Sequence, residues 1–448
     1  MNLTTENTDS TISNTVKISY PSKVQDYDIF VGQNILLSAI NTLQLQNYSK
    51  ILILTDWNVF EAGHLKTLED TISQSLIQST SQSQDQTEGN LKTQAEEVEV
   101  DKYLGYQPLS LVLPAGEIHK NINTLQTIWQ KMVDCQLDRK SIIINLGGGV
   151  VGDMGGFGAS TYMRGIDFVQ IPTTLLSMVD ASVGGKLAID FGGLKNNVGL
   201  FCQPKAVIVE TNFIQTLPAR ELVSGFGEIV KHGLVVSKEH FEELKISGTE
   251  LMLQDGVALD KDILPTRVQN AVAKMGIIAT GYKQPADWNG QSLVDLITHS
   301  IQIKSQVIRA DPTEQNLRKI LNFGHTIGHA FEVIALETDQ YLFHGEAVSL
   351  GMVAESYISF LLGKITIMEF GEIVETLRAL GLPVSLSEYQ WSKSEEFINR
   401  VLELIQGDKK TEFGSVKWSL LSGIGTCEYN IILPSTIDLG EEVIVYLL

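Results

Sequence analysis

The run Ser141-Ile142-Ile143-Ile144-Asn145-Leu146 leads straight into Gly147-Gly148-Gly149-Val150-Val151-Gly152-Asp153, and few junctions restrict a fold more tightly. A mostly apolar run of that length reads as a strand covered on both faces. Gly147, Gly149 and Gly152 then satisfy GxGxxG in its required place, after the strand and before a helical pattern. Glycines there let backbone N–H groups approach a pyrophosphate at a helix N-terminus. A tight turn with close helix–sheet packing would use the same residues. Both readings demand a strand–turn–helix unit.

Similar units flank it. Lys50 to Asp56, Leu109 to Pro114, Phe168 to Pro172 and Ala206 to Val209 are further strand candidates, separated by helical patterns such as Asn123 to Cys135. Strands alternating with helices give a mostly parallel sheet covered on both sides. Alternating residues from Thr15 to Val31, around Pro21, suggest a β-hairpin before it. Between the first two strands, the Ser/Gln-rich tract from Ser79 to Asn90 and the acidic residues after it, to about residue 100, read as a flexible, disordered surface insertion. Beyond residue 210 helical periodicity takes over: Arg220 to Leu234, Leu264 to Ile278, Leu293 to Arg309, Asn316 to Leu336, Ala347 to Leu362, Ile373 to Leu380 and Ser394 to Gln406. At 448 residues the chain exceeds what one core normally organises. The expected fold class is α/β plus α: residues 1–210 form a Rossmann-like, mostly parallel domain and residues 211–448 a mostly helical one.

Composition excludes several functions. A formal net charge of −20 argues against nucleic acid or an anionic membrane as partner. Any anionic ligand must therefore be met by locally clustered cations. Cys135, Cys202 and Cys427 lack CxxC spacing, which fits a reducing compartment and no thiolate metal site. Neither a signal peptide nor a membrane-spanning run is recognisable, so the expected location is the cytoplasm.

Three of the eight histidines fall within Asn322-Phe323-Gly324-His325-Thr326-Ile327-Gly328-His329-Ala330 and Phe343-His344-Gly345-Glu346. On a helix His325 and His329 lie one turn apart on one face, as two ligands of one small site or as two packed histidines. Glu228, among small residues in Gly225-Phe226-Gly227-Glu228, adds a carboxylate. With His325 and His344 it makes a two-histidine, one-carboxylate set with an open position, which suits zinc as a Lewis acid. The intervals from Arg318 to Asn322, His325 and His329 place all four on one face of a continuous helix. Lys186 after Gly184-Gly185, followed by Lys195-Asn196, is how an acidic chain concentrates cations around a phosphate. Asp56 at the end of the first strand, with Asn58, is the candidate for ribose hydroxyls.

The chain resembles the 3-dehydroquinate synthases, the shikimate-pathway branch of the sugar phosphate cyclases. The likeness rests on Pro114-Ala115-Gly116-Glu117 with Lys120, Gly147 to Asp153, Thr161 to Gly165, Pro172 to Lys186, Lys195-Asn196, Gln203-Pro204-Lys205, Leu217 to Glu221, Glu228 to Gly233, Asn322 to Ala330 and His344 to Ala347. These follow one another in colinear order over nearly the whole length. The resemblance implies NAD and zinc (with cobalt able to replace it) as cofactors, a phosphorylated sugar acid as substrate and a homodimer. It implies Glu228, His325 and His344 as metal ligands. Asp56, Asn58, Glu117, Lys120, Gly148, Gly149, Val150, Asp153, Thr173, Thr174 and Lys195 would hold NAD. Lys186, Asn196, Asn322 and a lysine of Lys409-Lys410 would bind the substrate phosphate, joined by Arg164 from a second subunit. Lys304 and Arg318 would meet the substrate carboxylate, while Asp180, Lys186, Lys231 and His329 would serve catalysis. The implied reaction forms 3-dehydroquinate from 3-deoxy-D-arabino-heptulosonate 7-phosphate by transient oxidation, phosphate elimination, re-reduction and aldol closure.

The sequence departs from that pattern at Leu187-Ala188, at Asp190-Phe191-Gly192-Gly193 and at Asn316, so the loop after Lys186 is expected to follow its own path. Two rival readings are a cyclase acting on sedoheptulose 7-phosphate, which has no carboxylate, and a metal- and NAD-dependent polyol dehydrogenase. The pair Lys304 and Arg318 disfavours the first, because two buried cations without an anion are costly. The lysine-rich phosphate cluster disfavours the second.

Overall fold

The computed structural model describes residues 4–6, 15–17, 26–85, 108–245, 291–338, 340–394, 396–407, 411–412 and 415–448. Two short strands, β1 (Thr4–Glu6) and β2 (Thr15–Lys17), pair antiparallel with each other. The chain then builds β3 (Asp28–Gly32), α1 (Leu36–Thr42), β4 (Ile51–Asp56), α2 (Trp57–Glu61), α3 (His64–Asp85), β5 (Leu109–Leu113), α4 (Ile122–Asp134), β6 (Ile142–Gly147), α5 (Gly149–Thr161) and β7 (Asp167–Pro172). A hairpin of β8 (Lys186–Phe191) and β9 (Leu194–Phe201) precedes the last long strand, β10 (Ala206–Glu210). The described residues that follow are mainly helical: α6 (Ala219–Val236), α7 (Lys238–Glu243), α8 (Gln291–Ala310), α9 (His325–Leu336), α10 (His344–Leu361), α11 (Ile367–Ala379) and α12 (Phe397–Gly407).

Six strands form one parallel sheet in the order β3-β10-β7-β6-β4-β5. The apolar runs make these strands because both faces are covered, and consecutive residues fall into opposite cores. Ile51 and Ile53 of β4 join one cluster with Ile142, Ile144 and Leu146, while Leu52 and Leu54 join the other with Ile143 and Phe168. The first cluster continues without a break into the helical half through Phe226, Ile229, Phe323 and Val348. From β4 the chain goes to β5 on one side and to β6 on the other, so the strand order reverses between β4 and β6. Such a switch point opens a crevice at the carboxyl ends of the strands. Asp56 ends β4 and Gly147 ends β6, so both candidate cofactor segments flank that crevice.

Four expectations need correction. Tyr27 to Val31 does not pair with Val16: β2 pairs with β1, and β3 joins the large sheet beside β10, because its partly buried apolar residues find a covered sheet edge there. Residues Ser79 to Asp85 continue α3 as helix; residues 86–107 lie outside the described residues. The phosphate-site segment is not a loop but the β8–β9 hairpin, closed at Gly192-Gly193, whose φ angles of 63° and 79° suit a two-residue turn. Finally, Asn316 to Leu336 is not one helix. Residues Leu317–Asn322 form a 3-10 turn, and Gly324 at φ 79° separates it from α9. The helical segment expected at Leu264 to Ile278 lies outside the described residues. Among the described residues no helix is long and apolar enough to cross a membrane.

Candidate active site

α5 begins at Gly149 without a side-chain cap, so the N–H groups of its first turn face the crevice at the switch point. Thr173 and Thr174 close one side. Thr173 donates its N–H to the Gly147 carbonyl at 3.1 Å, and Thr174 lies so near Gly148 that a side chain there would touch its methyl group. Across the crevice Asp56 caps α2, accepting the Val59 N–H at 3.0 Å. Burial raises the Asp56 carboxyl above its ordinary range, opposed by that bond. Asn58 is exposed on the first turn of α2. Lys120, buried, lies 2.6 Å from Asp153 of α5 and also donates to Asn196 Oδ1. The β8–β9 hairpin thus places Asn196 beside Lys120. Lys195 lies 3.2 Å from Glu117 and 2.6 Å from Glu332, joining the crevice to the helical half.

Three helices bring the metal candidates together through close backbone contacts. A Cβ on Gly345 would sit 1.8 Å from the Ser224 carbonyl oxygen, and one on Gly351 would sit 1.8 Å from that of Gly324. Only glycine permits α10 to approach α6 and the start of α9 so closely. Those approaches set Glu228, His325 and His344 around one point. Oε1 of Glu228 is 3.4 Å from His325 Nε2 and 3.5 Å from His344 Nε2. These spacings are long for a hydrogen bond and short enough for a shared ion. Glu228 is fully buried, and Oε1 has no hydrogen-bond donor. The other ring nitrogens are oriented from behind: His325 Nδ1 lies 3.1 Å from the Phe323 carbonyl, and His344 Nδ1 3.5 Å from Glu332. Burial works against a charge on His344, yet Glu228 and Glu332 on its two sides push it up to about 10. The pocket therefore calls for a positive charge, and the donor set fits a divalent metal.

Two other donor triads overlap this one, His329–Glu332–His344 and Asp180–Glu228–His232. Lysine engages a carboxylate in all three: Glu332 by Lys195, Asp180 by Lys304 at 2.6 Å, and Glu228, through Oε2, by Lys231. The Glu228–His325–His344 set differs in that Glu228 Oε1, which faces both imidazoles, has no donor. His329 stands beside it, its ring 5.2 Å from that of His325 and 5.9 Å from that of His344.

A cluster of cations adjoins the triad. Burial raises Asp180, but Lys304 and Lys231 hold it well below the usual carboxylate range. Lys231 is buried against Glu228 and 4.0 Å from Asp180. Burial lowers Lys304 to about 8, with Asp180 opposing the loss of its proton and Lys231 and Arg318 favouring it. Arg318 is buried and donates to the carbonyls of Pro312 at 2.7 Å and Gly184 at 3.2 Å. The break at Gly324 thus turns Arg318 away from the single helical face expected for it, toward the β8 entry. Lys186 pairs with Glu314, which also accepts from Asn322 at 2.8 Å. Arg164 is exposed, with φ at 69°, and has no ion pair among the described residues. Lys409 and Lys410 lie outside the described residues.

Three carboxylates escaped the reading of the sequence. Glu332 was legible by spacing, three residues after His329 and seven after His325 on the same helix. Glu355 is buried on α10 and accepts N–H bonds from Gly324 at 2.7 Å, Thr326 at 3.0 Å and Ile327 at 3.3 Å, capping α9 beneath His325. Glu314 stands in a left-handed backbone conformation at φ 59°. Nothing local in the sequence marks either of these two.

The family models described as 3-dehydroquinate synthase N-terminal and C-terminal match residues 110–224 and 225–411. The chain belongs to the 3-dehydroquinate synthase family. It is 40% identical over 314 residues to the 3-dehydroquinate synthase of Ruminiclostridium cellulolyticum, covering 70% of this chain and 75% of that one. It is 34% identical over 411 residues to the pentafunctional AROM polypeptide of Komagataella phaffii, covering 91% of this chain and 24% of that polypeptide. Among solved structures, a 2-epi-5-epi-valiolone synthase from Streptomyces hygroscopicus with NAD+ and Zn2+ bound superposes with a TM-score of 0.67 at 24% identity, covering 93% of this chain and 96% of that one. A 2-deoxy-scyllo-inosose synthase complexed with carbaglucose-6-phosphate, NAD+ and Co2+ gives 0.65 at 21%, covering 94% and 97%. These two likenesses are of fold. They agree with the expected class, a parallel-sheet half followed by a helical half.

Proposed function

We propose that the chain converts 3-deoxy-D-arabino-heptulosonate 7-phosphate into 3-dehydroquinate and phosphate, a carbon–oxygen lyase step of the shikimate pathway to aromatic amino acids. Its family membership supports this reading, and one observation carries it to the site. In a chain of net charge −20, Lys186, Lys231, Lys304 and Arg318 converge on Asp180 and Glu314 beside the Glu228–His325–His344 triad. A substrate with an anion at each end needs two cationic places.

In this reading residues 1–210 hold NAD and residues 211–448 hold metal and substrate. The uncapped start of α5 at Gly148, Gly149 and Val150 receives the pyrophosphate, and Asp56 with Asn58 the ribose. Bound NAD supplies a hydride acceptor that is reduced and re-oxidised within one turnover, so it is not consumed. Zinc, or cobalt in its place, supplies Lewis acidity where negative charge develops on a substrate oxygen. Lys304 and Arg318 meet the carboxylate; the buried Arg318 Nε, which lacks an acceptor, is one more reason to expect an anion there. Lys186 and Asn322 exchange Glu314 for the phosphate, joined by Lys409 or Lys410. His329 moves protons because imidazole titrates near neutral pH. Asp180 and Lys231 address substrate hydroxyls. Arg164 serves a second copy of the chain in a homodimer, and the three free cysteines support a cytoplasmic location.

Purified protein given the heptulosonate phosphate, trace NAD+ and Zn2+ should release phosphate with no net NADH. Stoichiometric NADH would mark a polyol dehydrogenase. Turnover of sedoheptulose 7-phosphate alone would mark a different cyclase.

A further inference from the structure

His240 is 3% exposed, and neither of its ring nitrogens has a hydrogen-bond partner. A buried imidazole without partners loses its hydration and gains nothing in return, so its place calls for an explanation. It stands on α7, three residues before Glu243, whose Oε2 lies 3.6 Å from His240 Nδ1. That spacing is too long for a good hydrogen bond. From α8, His299 brings its Nδ1 to 2.9 Å from the same oxygen. One ligand atom from each of the three residues falls within 4.8 Å of the others.

We propose that His240, Glu243 and His299 form a second divalent-metal site, of zinc type, that ties α7 to α8. The donors are the two-imidazole, one-carboxylate set that suits Zn2+, with a position left for water on the exposed side of His299. Burial, aided by the neighbouring His232, lowers His240 to about 4, so its lone pair is available near neutral pH with no proton to displace. Lys245, two residues after Glu243, pairs with Glu242 at 3.0 Å and with Glu372. The site shares no residue with the Glu228–His325–His344 triad and does not depend on the proposed activity.

Metal content decides the matter. The full chain, stripped with chelator, reloaded with Zn2+ and desalted, should carry two zinc ions per chain by elemental analysis. His299→Ala should carry one, His325→Ala one, and the double variant none. His299 is half exposed, so its replacement leaves the core intact. Zn2+ should also raise the melting temperature of His325→Ala by a few degrees and leave that of the double variant unchanged. A parent with one zinc, unchanged by His299→Ala and lost in His325→Ala, overturns the proposal. If His299→Ala loses one ion while His325→Ala keeps both, this site stands and the active-site triad falls.

Discussion

Lys304 keeps its charge in a buried place because Asp180 lies 2.6 Å away. Burial nevertheless leaves its proton lost at about pH 8. An unfolded lysine holds that proton to about 10.4. Between those values the unfolded chain binds more protons than the folded one, so this group makes the fold more stable as pH rises. For the substrate carboxylate that Lys304 is proposed to meet the sign is opposite, since a neutral lysine would no longer attract it. The expected result is that kcat/KM, which reports groups of the free enzyme, falls above about pH 8, and that Lys304→Arg, charged throughout, removes the fall. An unchanged profile in Lys304→Arg would show that another group controls it. Lys304 was legible in the sequence as a cation, but its Asp180 partner was not. That pairing depends on where α8 crosses the segment after β7, 124 residues away in the chain.

At the scale of elements, the active site depends on how closely α6, α9 and α10 approach. Gly345 lies beside His344, and any side chain there meets the Ser224 carbonyl of α6. Gly345→Ala must therefore push apart the two helices that carry Glu228 and His344. We expect it to weaken metal affinity about 10- to 100-fold, as loss of a supporting shell does, and to cost about 1–3 kcal/mol of stability through overpacking. Metal competition and denaturant titration measure the two effects. Unaltered affinity would mean that the helices tolerate a wider spacing. The parallel strands were readable because an apolar run such as Ile51 to Leu54 serves two cores at once, whereas a surface hairpin leaves no such mark. β9 is mostly exposed, with no alternation to read, and its Gly192-Gly193 turn looks like any loop. The break before α9 was hidden for another reason. Gly324 sits inside an uninterrupted helical pattern, and Glu355, which caps the new start, is supplied by another helix.

For the whole molecule, the sheet's switch point and the helical half are joined by a line of charges from Asp153 through Lys120 and from Glu117 through Lys195 to Glu332 and His344. The candidate cofactor crevice and the candidate metal triad are therefore linked by ionic contacts, the arrangement that the proposed sequence of oxidation, elimination and ring closure in one cleft requires. We propose that this cleft divides His325 and His329, one helical turn apart, between holding the metal and moving protons. Zinc content and turnover of His325→Ala and His329→Ala test it directly. His325→Ala should carry one zinc fewer than the parent and be inactive. His329→Ala should carry as many as the parent while kcat falls about 10²- to 10⁴-fold. Equal loss of zinc in both variants would contradict the division and make His329 a ligand.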